Sequence, residues 1–230
     1  MSRVAIIPAR GGSKRILRKN IRDFCGLPVL TYSVKAALSS NLFDEVMVST
    51  DDQEIAEVAK KAGANVPFVR SPANSGDFAT TLDVIKEVID AYKNTGRIFE
   101  EGCCIYACAP LINADLLEQS RRSFQAGAYD SLFPVVKYSH PIQRSLTMNK
   151  GRVTMNEPTN VNVRSQDLPL RYFDAGMFYW FNTGRIVSSK SLWTDNSGGF
   201  EIPELSCQDI DTESDWKLAE LKFKLLNDAG

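Results

Sequence analysis

The sequence predicts an α/β fold, a mainly parallel sheet covered by helices on both faces. Three observations predict it. Short apolar runs alternate with amphipathic stretches as far as Val136, and one stretch carries Leu82, Ile85, Val88, Ile89 and Tyr92 at helical spacing. Glycine-bearing or acidic turns follow the apolar runs directly, and such sheets place their active sites beyond the carboxyl ends of strands.

The first strand is predicted at Val4–Pro8, an apolar run that empties into Gly11-Gly12. Around those glycines stand Arg10, Lys14, Arg15, Arg18 and Lys19. A glycine turn lets backbone N–H groups approach an anion, and flanking cations neutralise it, so the pattern points to a polyphosphate. Neither G-x-G-x-x-G nor G-x-x-x-x-G-K-[ST] can be laid over residues 8–20. That disfavours a dinucleotide-dependent oxidoreductase. Further strands are predicted at Glu45–Thr50, Asn65–Val69, Cys103–Ala107 and Ser131–Val136, and helices at Pro28–Ser39, Asp52–Ala62, Thr80–Asn94 and Ala114–Gln125. The glycine-basic loop, "STDD" from Ser49 to Asp52 and "CAPL" from Cys108 all follow strands, and they converge on one rim.

After Val136 the rhythm breaks. Residues 137–176 are polar and turn-rich, with Asn149-Lys150-Gly151 placed as a hairpin turn between Leu146 and Val153. This span reads as a lid or dimerisation insert within a single domain covering residues 1–230. The α/β pattern resumes with "MFYWFN", and a last amphipathic helix is predicted from about Thr212 to Leu226, with Leu218, Leu221 and Leu225 on one apolar stripe.

A net charge of -1 argues against nucleic acid and membrane surfaces as partners, so the basic cluster is local and suits a small anion. No apolar stretch reaches the length of a membrane span, and the first residues lack the pattern of a signal peptide, which predicts a cytoplasmic protein. Three of the five cysteines lie in "CCIYACAPL", where strand alternation breaks the geometry that zinc prefers; they read as small buried hydrophobes. The lone histidine, His140, lies in a Pro-containing loop and reads as non-catalytic.

Ahead of the final helix stands "CQDIDTESDW". Asp209 and Asp211 are two residues apart, so in extended chain both carboxylates project on one side, as a hard divalent cation requires. The plainer reading is helix capping by Asp211 or Thr212, which leaves Asp209 unexplained. Beside a polyphosphate loop the pair suits Mg²⁺, which one or two carboxylates and the substrate's own oxygens commonly hold.

In "IIPARGGSKRILRKN", "VSTDD", "VRSQDLP" and "DID" the chain resembles the cytidylyltransferases that activate nonulosonic (sialic-acid-like) sugars as CMP derivatives. "FDEVMVSTDD", "DFATT", "FPVVKYSHPIQR" and "RSQDLPLRYFDAG" resemble the pseudaminic acid branch. The resemblance implies a three-layer Rossmann-like nucleotidyltransferase fold with a small dimerisation insert, a homodimer, and CTP and a nonulosonic acid as substrates. It assigns Arg10, Ser13, Lys19 and Asn20 to the phosphates and ribose of CTP, with Arg10 and Lys19 neutralising charge in the transfer. Arg70, Asp77 and Thr81 would line the nucleotide pocket, Arg164 would face the acid sugar, and Asp209 and Asp211 would be the Mg²⁺ ligands.

Some positions depart from the family pattern. Leu17 stands where proline is usual, and Ala107 and Cys108 replace proline and threonine. Tyr106 takes the place of a sugar-binding glutamine of the sialic acid enzymes, and it suits a deoxygenated sugar such as pseudaminic acid. The run Phe178, Tyr179 and Trp180 is a second candidate for an apolar sugar contact. Sialate, legionaminate or Kdo remain alternative substrates, and a catalytically silent nucleotide-binding regulator is an alternative of another class.

Overall fold

In the computed structural model, which describes residues 1–227, the alternation becomes a seven-stranded sheet flanked by helices. The elements in chain order are β1 (Arg3–Pro8), β2 (Asp23–Phe24), β3 (Leu27–Pro28), α1 (Val29–Ser39), β4 (Glu45–Ser49), α2 (Gln53–Lys61), the single turn α3 (Pro72–Ser75), α4 (Thr81–Asn94), β5 (Glu101–Ile105), α5 (Ala114–Ala126) and β6 (Ser131–Lys137). There follow β7 (Leu146–Asn149), β8 (Arg152–Met155), β9 (Tyr172–Asp174), β10 (Phe178–Asn182), α6 (Thr183–Ser189), β11 (Ser197–Glu201) and α7 (Glu213–Asn227). The sheet order is β11-β6-β10-β5-β1-β4, with β9 beside β6. Strands β1, β4, β5, β6 and β11 run one way and β9 and β10 the other, so the sheet is mainly parallel. The carboxyl ends of β1, β4 and β5 therefore share one rim.

Period-two alternation decides the layers. Ala5 and Ile7 face Val34, Ala59 and Leu117 on one side, while Val4 and Ile6 face Ile85 and Val88 of α4 on the other. Cys103 and Cys104 divide between the same two cores as fully buried apolar side chains. Trp180 stacks on Phe43 with centroids 5.3 Å apart and donates its indole N–H to Ser120 Oγ at 2.9 Å, which satisfies the one polar atom it buries. A third cluster joins Ile16 and Phe24, after β1, to Ile210, Trp216 and Ala219 at the start of α7. Trp216 and Phe223 both meet Phe24 edge-on.

The structure corrects two expectations. Asn65–Val69 is not a strand: Asn65 makes a single bridge to Met47, and Pro67, with no N–H to donate, cannot extend a ladder. Leu218, Leu221 and Leu225 do not pack inward, being 44%, 58% and 62% exposed. Helix α7 docks instead through Trp216, Ala219 and Phe223, whose aromatic rings reach Phe24. The hairpin turn lies as expected, with Lys150 and Gly151 both at positive φ between β7 and β8, the two-residue geometry that matches strand twist. Within the span 137–176, β9 returns to the main sheet.

Gly102 of β5 lies opposite Phe181 of β10, and a Cβ there would come within 2.3 Å of the phenyl ring. Gly102→Ala is expected to overpack this fully buried pair and to destabilise the fold by about 1–3 kcal/mol, read by thermal denaturation.

Candidate active site

The rim carries a cleft of about 480 Å³. Of the residues expected in the site, Arg10, Ser13, Lys19, Asn20, Arg70, Asp77, Thr81, Tyr106 and Asp209 line it. Asp211 stands at its edge, bound to two residues of the glycine-basic loop. Arg164 does not line it; its side chain is 71% exposed on the insert and pairs with Asp167. His140, also on the insert, is exposed and lies away from the cleft.

The glycine-basic loop is anchored by the acids that follow β4. Gly11 N–H donates to Asp51 at 3.0 Å, and a Cβ on Gly11 would come within 2.8 Å of Asp52, so this position needs glycine for close approach. One of the two glycine amides expected to meet substrate is thus engaged by the protein itself. Asp52 caps α2 through the Ile55 amide and takes the Arg18 guanidinium, which holds its carboxyl below the usual range. Asn20 is 8% exposed, and its amide donates to the Arg10 carbonyl at 2.9 Å while its oxygen accepts from the Cys108 thiol at 3.3 Å. These two bonds shape the loop where it lines the cleft.

Charge then closes the loop across the cleft. Arg10 donates to the Gly76 carbonyl and to Asp77, and Lys14 reaches the other Asp77 oxygen at 2.5 Å. Lys14, and then Arg10, hold the Asp77 carboxyl below its usual range. On the opposite wall Lys19 donates to the Ile210 carbonyl at 2.7 Å, and Arg15 grips both oxygens of Asp211 at 2.6 and 2.7 Å. Arg70 is 4% exposed, with Nε on Ser49 Oγ at 3.0 Å; burial lowers its pKa, yet a guanidinium keeps its charge. An anion entering here meets cations on every side.

The far end of the cleft is built differently. Tyr106 lies past the end of β5, its hydroxyl 2.9 Å from Thr81 Oγ1 at the start of α4. Burial pushes its pKa to about 12, so it stays a neutral phenol. Burial also pushes the Cys108 thiol to about 12, which keeps it from acting as a nucleophile. Of the aromatic run, Phe178 and Trp180 are core residues of one layer; only Tyr179 points to the other, edge-on to Tyr106 at 5.8 Å and donating to Asp174. Asp174 also accepts from the Gly176 amide, fixing the turn that lines the cleft beside Asp209. Asn74 and Thr80 also line the cleft and were not singled out in the sequence: Asn74 lies in no quoted motif, and Thr80 lies inside "DFATT" beside Thr81.

Thr212 and Asp215 form the reciprocal cap of α7, so neither Asp209 nor Asp211 is the cap. Ile210 between them is 1% exposed and turns inward, which sends both carboxylates outward. Partial desolvation, and then the Asp211 charge, push the Asp209 carboxyl above its usual value, a repulsion that a cation would relieve. Two hard oxygen donors fit Mg²⁺, and no cluster of three or more His, Cys, Asp or Glu gathers among the described residues. Further ligands would have to come from substrate and water.

A mainly parallel sheet with a glycine-basic loop, second-strand acids and a late Asp-x-Asp pair on one rim defines a nucleotidyltransferase-type enzyme. CMP:2-keto-3-deoxy-manno-octonic acid synthetase, solved in complex with CTP, has the same fold, with a TM-score of 0.68 at 17% identity over 99% of this chain and 100% of its own. The chain belongs to the cytidylyltransferase family, which residues 4–183 match. It is 41% identical over 226 residues to the pseudaminic acid cytidylyltransferase of Campylobacter jejuni, covering 98% of this chain and 97% of that one. With N-acylneuraminate cytidylyltransferase A of Danio rerio it shares 36% over 221 residues, 94% of this chain and 49% of that one. Family membership sets aside the oxidoreductase reading.

Arg10 faces the cleft and Arg18 faces α2, which separates two cations of one loop. Arg10→Ala is expected to lower kcat/KM for CTP by a factor on the order of 10²–10³, the usual loss for one preorganised donor to developing charge. Arg18→Ala should cost less than about tenfold and lower the melting temperature slightly. Steady-state kinetics on the two variants check this; equal losses would mean nonspecific attraction, which added salt would weaken in both.

Proposed function

We propose that the chain transfers CMP from CTP to the anomeric hydroxyl of a nonulosonic acid, pseudaminic acid, releasing pyrophosphate. The observation that carries the choice of sugar is the 41% identity over nearly the whole chain to a relative named for that reaction. Tyr106, a neutral phenol held by Thr81, supports it, because a sugar with acylamino groups and a terminal methyl in place of hydroxyls needs apolar surface there. The cations and the acid pair are what turnover requires and what a silent nucleotide-binding regulator would not.

In this reading Arg10, Ser13, Lys14 and Lys19 take the triphosphate, and Arg70, Asp77 and Thr81 border the nucleoside. The sugar hydroxyl attacks the α-phosphorus, and the bond to the β-phosphate oxygen breaks. Little covalent work falls to the protein, so rate comes from alignment and from Arg10 and Lys19 neutralising the charge that develops. No side chain stands out as general base. Mg²⁺ on Asp209 and Asp211 would add Lewis-acid stabilisation of phosphate oxygens.

We read residues 1–230 as one cytoplasmic domain that pairs with a second copy through 137–176. Leu146, Met148 and Val153 lie on one face of the β7–β8 hairpin and are 56%, 73% and 61% exposed, an apolar patch that an isolated hairpin in water would not sustain. Arg164, on the same insert, would then meet the acid sugar's carboxylate once the insert is docked.

Pyrophosphate release from CTP with Mg²⁺ and competing sugars tests the assignment. The 5,7-diacetamido sugar should be turned over and N-acetylneuraminate little, because a site that leaves polar groups unpaired rejects strongly. A preference for N-acetylneuraminate would defeat the sugar choice and leave cytidylyl transfer standing. Asp209→Asn or Asp211→Asn should lower turnover by about 10² or more while leaving the melting temperature near wild type. Retained turnover would overturn the metal assignment and leave Asp211 only its ion pairs with Arg15 and Lys19.

A further inference from the structure

Arg15 is the one member of the basic cluster whose guanidinium forks onto a proposed metal ligand, meeting both Asp211 oxygens at 2.6 and 2.7 Å. The fork occupies two of the roughly four lone-pair sites of the carboxylate, and the positive charge it brings repels a divalent ion at the others, so the ion and the guanidinium compete for Asp211. Lys19 adds a weaker contact at 3.8 Å, and its main bond goes to the Ile210 carbonyl. Asp209 has no ion-pair partner among the described residues, although it lines the same cleft. The two acids are therefore unequal: one is open and the other holds a resident cation.

Arg15 also lines the cleft, and its side chain is 69% exposed, so no packing beyond Asp211 fixes it there. Released from Asp211, it stands beside Lys14, Lys19 and Arg10 where a triphosphate would lie. We propose that Arg15 is a positioning residue that acts as a built-in counterion, occupying Asp211 in the empty enzyme and exchanging that carboxylate for the nucleotide's triphosphate as the divalent cation arrives. The inference rests on the reading of Asp209 and Asp211 as the metal pair. Its consequence is coupling: cation and nucleotide each remove the obstacle to the other, and such linkage is reciprocal.

Mn²⁺ serves as the probe, with its binding to nucleotide-free protein followed by electron paramagnetic resonance. Arg15→Ala should bind Mn²⁺ about two- to fivefold more tightly than wild type, the range that an exposed ion pair's contribution converts to. Lys14→Ala removes the same charge from the same loop but its amine sits on Asp77, so it should change Mn²⁺ affinity less. Unchanged affinity in Arg15→Ala overturns the proposal, and equal tightening in both variants replaces it with a diffuse field effect. Asp211→Asn separates the underlying assignment: wild-type Mn²⁺ binding in that variant would mean that the metal pair itself, rather than the role of Arg15, is wrong.

Discussion

Five cations crowded within ten residues after one strand repel one another, and the architecture of the rim follows from the need to hold them together. Each is tied to a group from a different part of the chain. Arg18 goes to Asp52 and Glu54 at the start of α2, Arg10 and Lys14 to Asp77 ahead of α4, and Arg15 and Lys19 to the segment that leads into α7. A carboxylate in each of these places draws the three segments towards the loop. The result is a cleft preorganised for anions, its charge balanced internally until a ligand competes for it.

Much of this was legible in the sequence. Apolar runs capped by glycine or acid located β1, β4 and the rim, and helical spacing located α4, because both signals are local. What escaped depends on partners far along the chain. The Asn65–Val69 run has strand-like composition but no neighbour beyond one bridge, and Pro67 interrupts it. Strand β11, with its paired glycines, has little intrinsic preference and exists because β6 offers an edge. The leucines of α7 carry helical periodicity, yet Trp216 and Phe223 decide which face docks, since the larger aromatic area meets Phe24.

The site was legible by residue type and less so by role. Arg70 reads as a surface arginine in isolation, and only the fold shows it buried against Ser49. Asn20 resembles a ligand contact, while its amide and carbonyl are both engaged in holding the loop. Thr81 and Tyr106, read separately as nucleotide and sugar residues, are hydrogen-bonded to each other, so the two halves of the pocket share a wall. The cap formed by Thr212 and Asp215 removed the plainer explanation for Asp211, which residue identity alone could not do.

The contact between Arg15 and Asp211 spans 196 positions of chain. During synthesis the glycine-basic loop leaves the ribosome early and waits about 10 to 40 s, at ordinary elongation rates, for that carboxylate to follow. Through that interval the nascent chain presents part of its cationic loop without the wall that later encloses it, while the sheet around β1, β4 and β5 can already form. Closure of the cleft is consequently a late event in the life of the molecule, reached when α7 settles against Phe24 and brings Asp211 to Arg15.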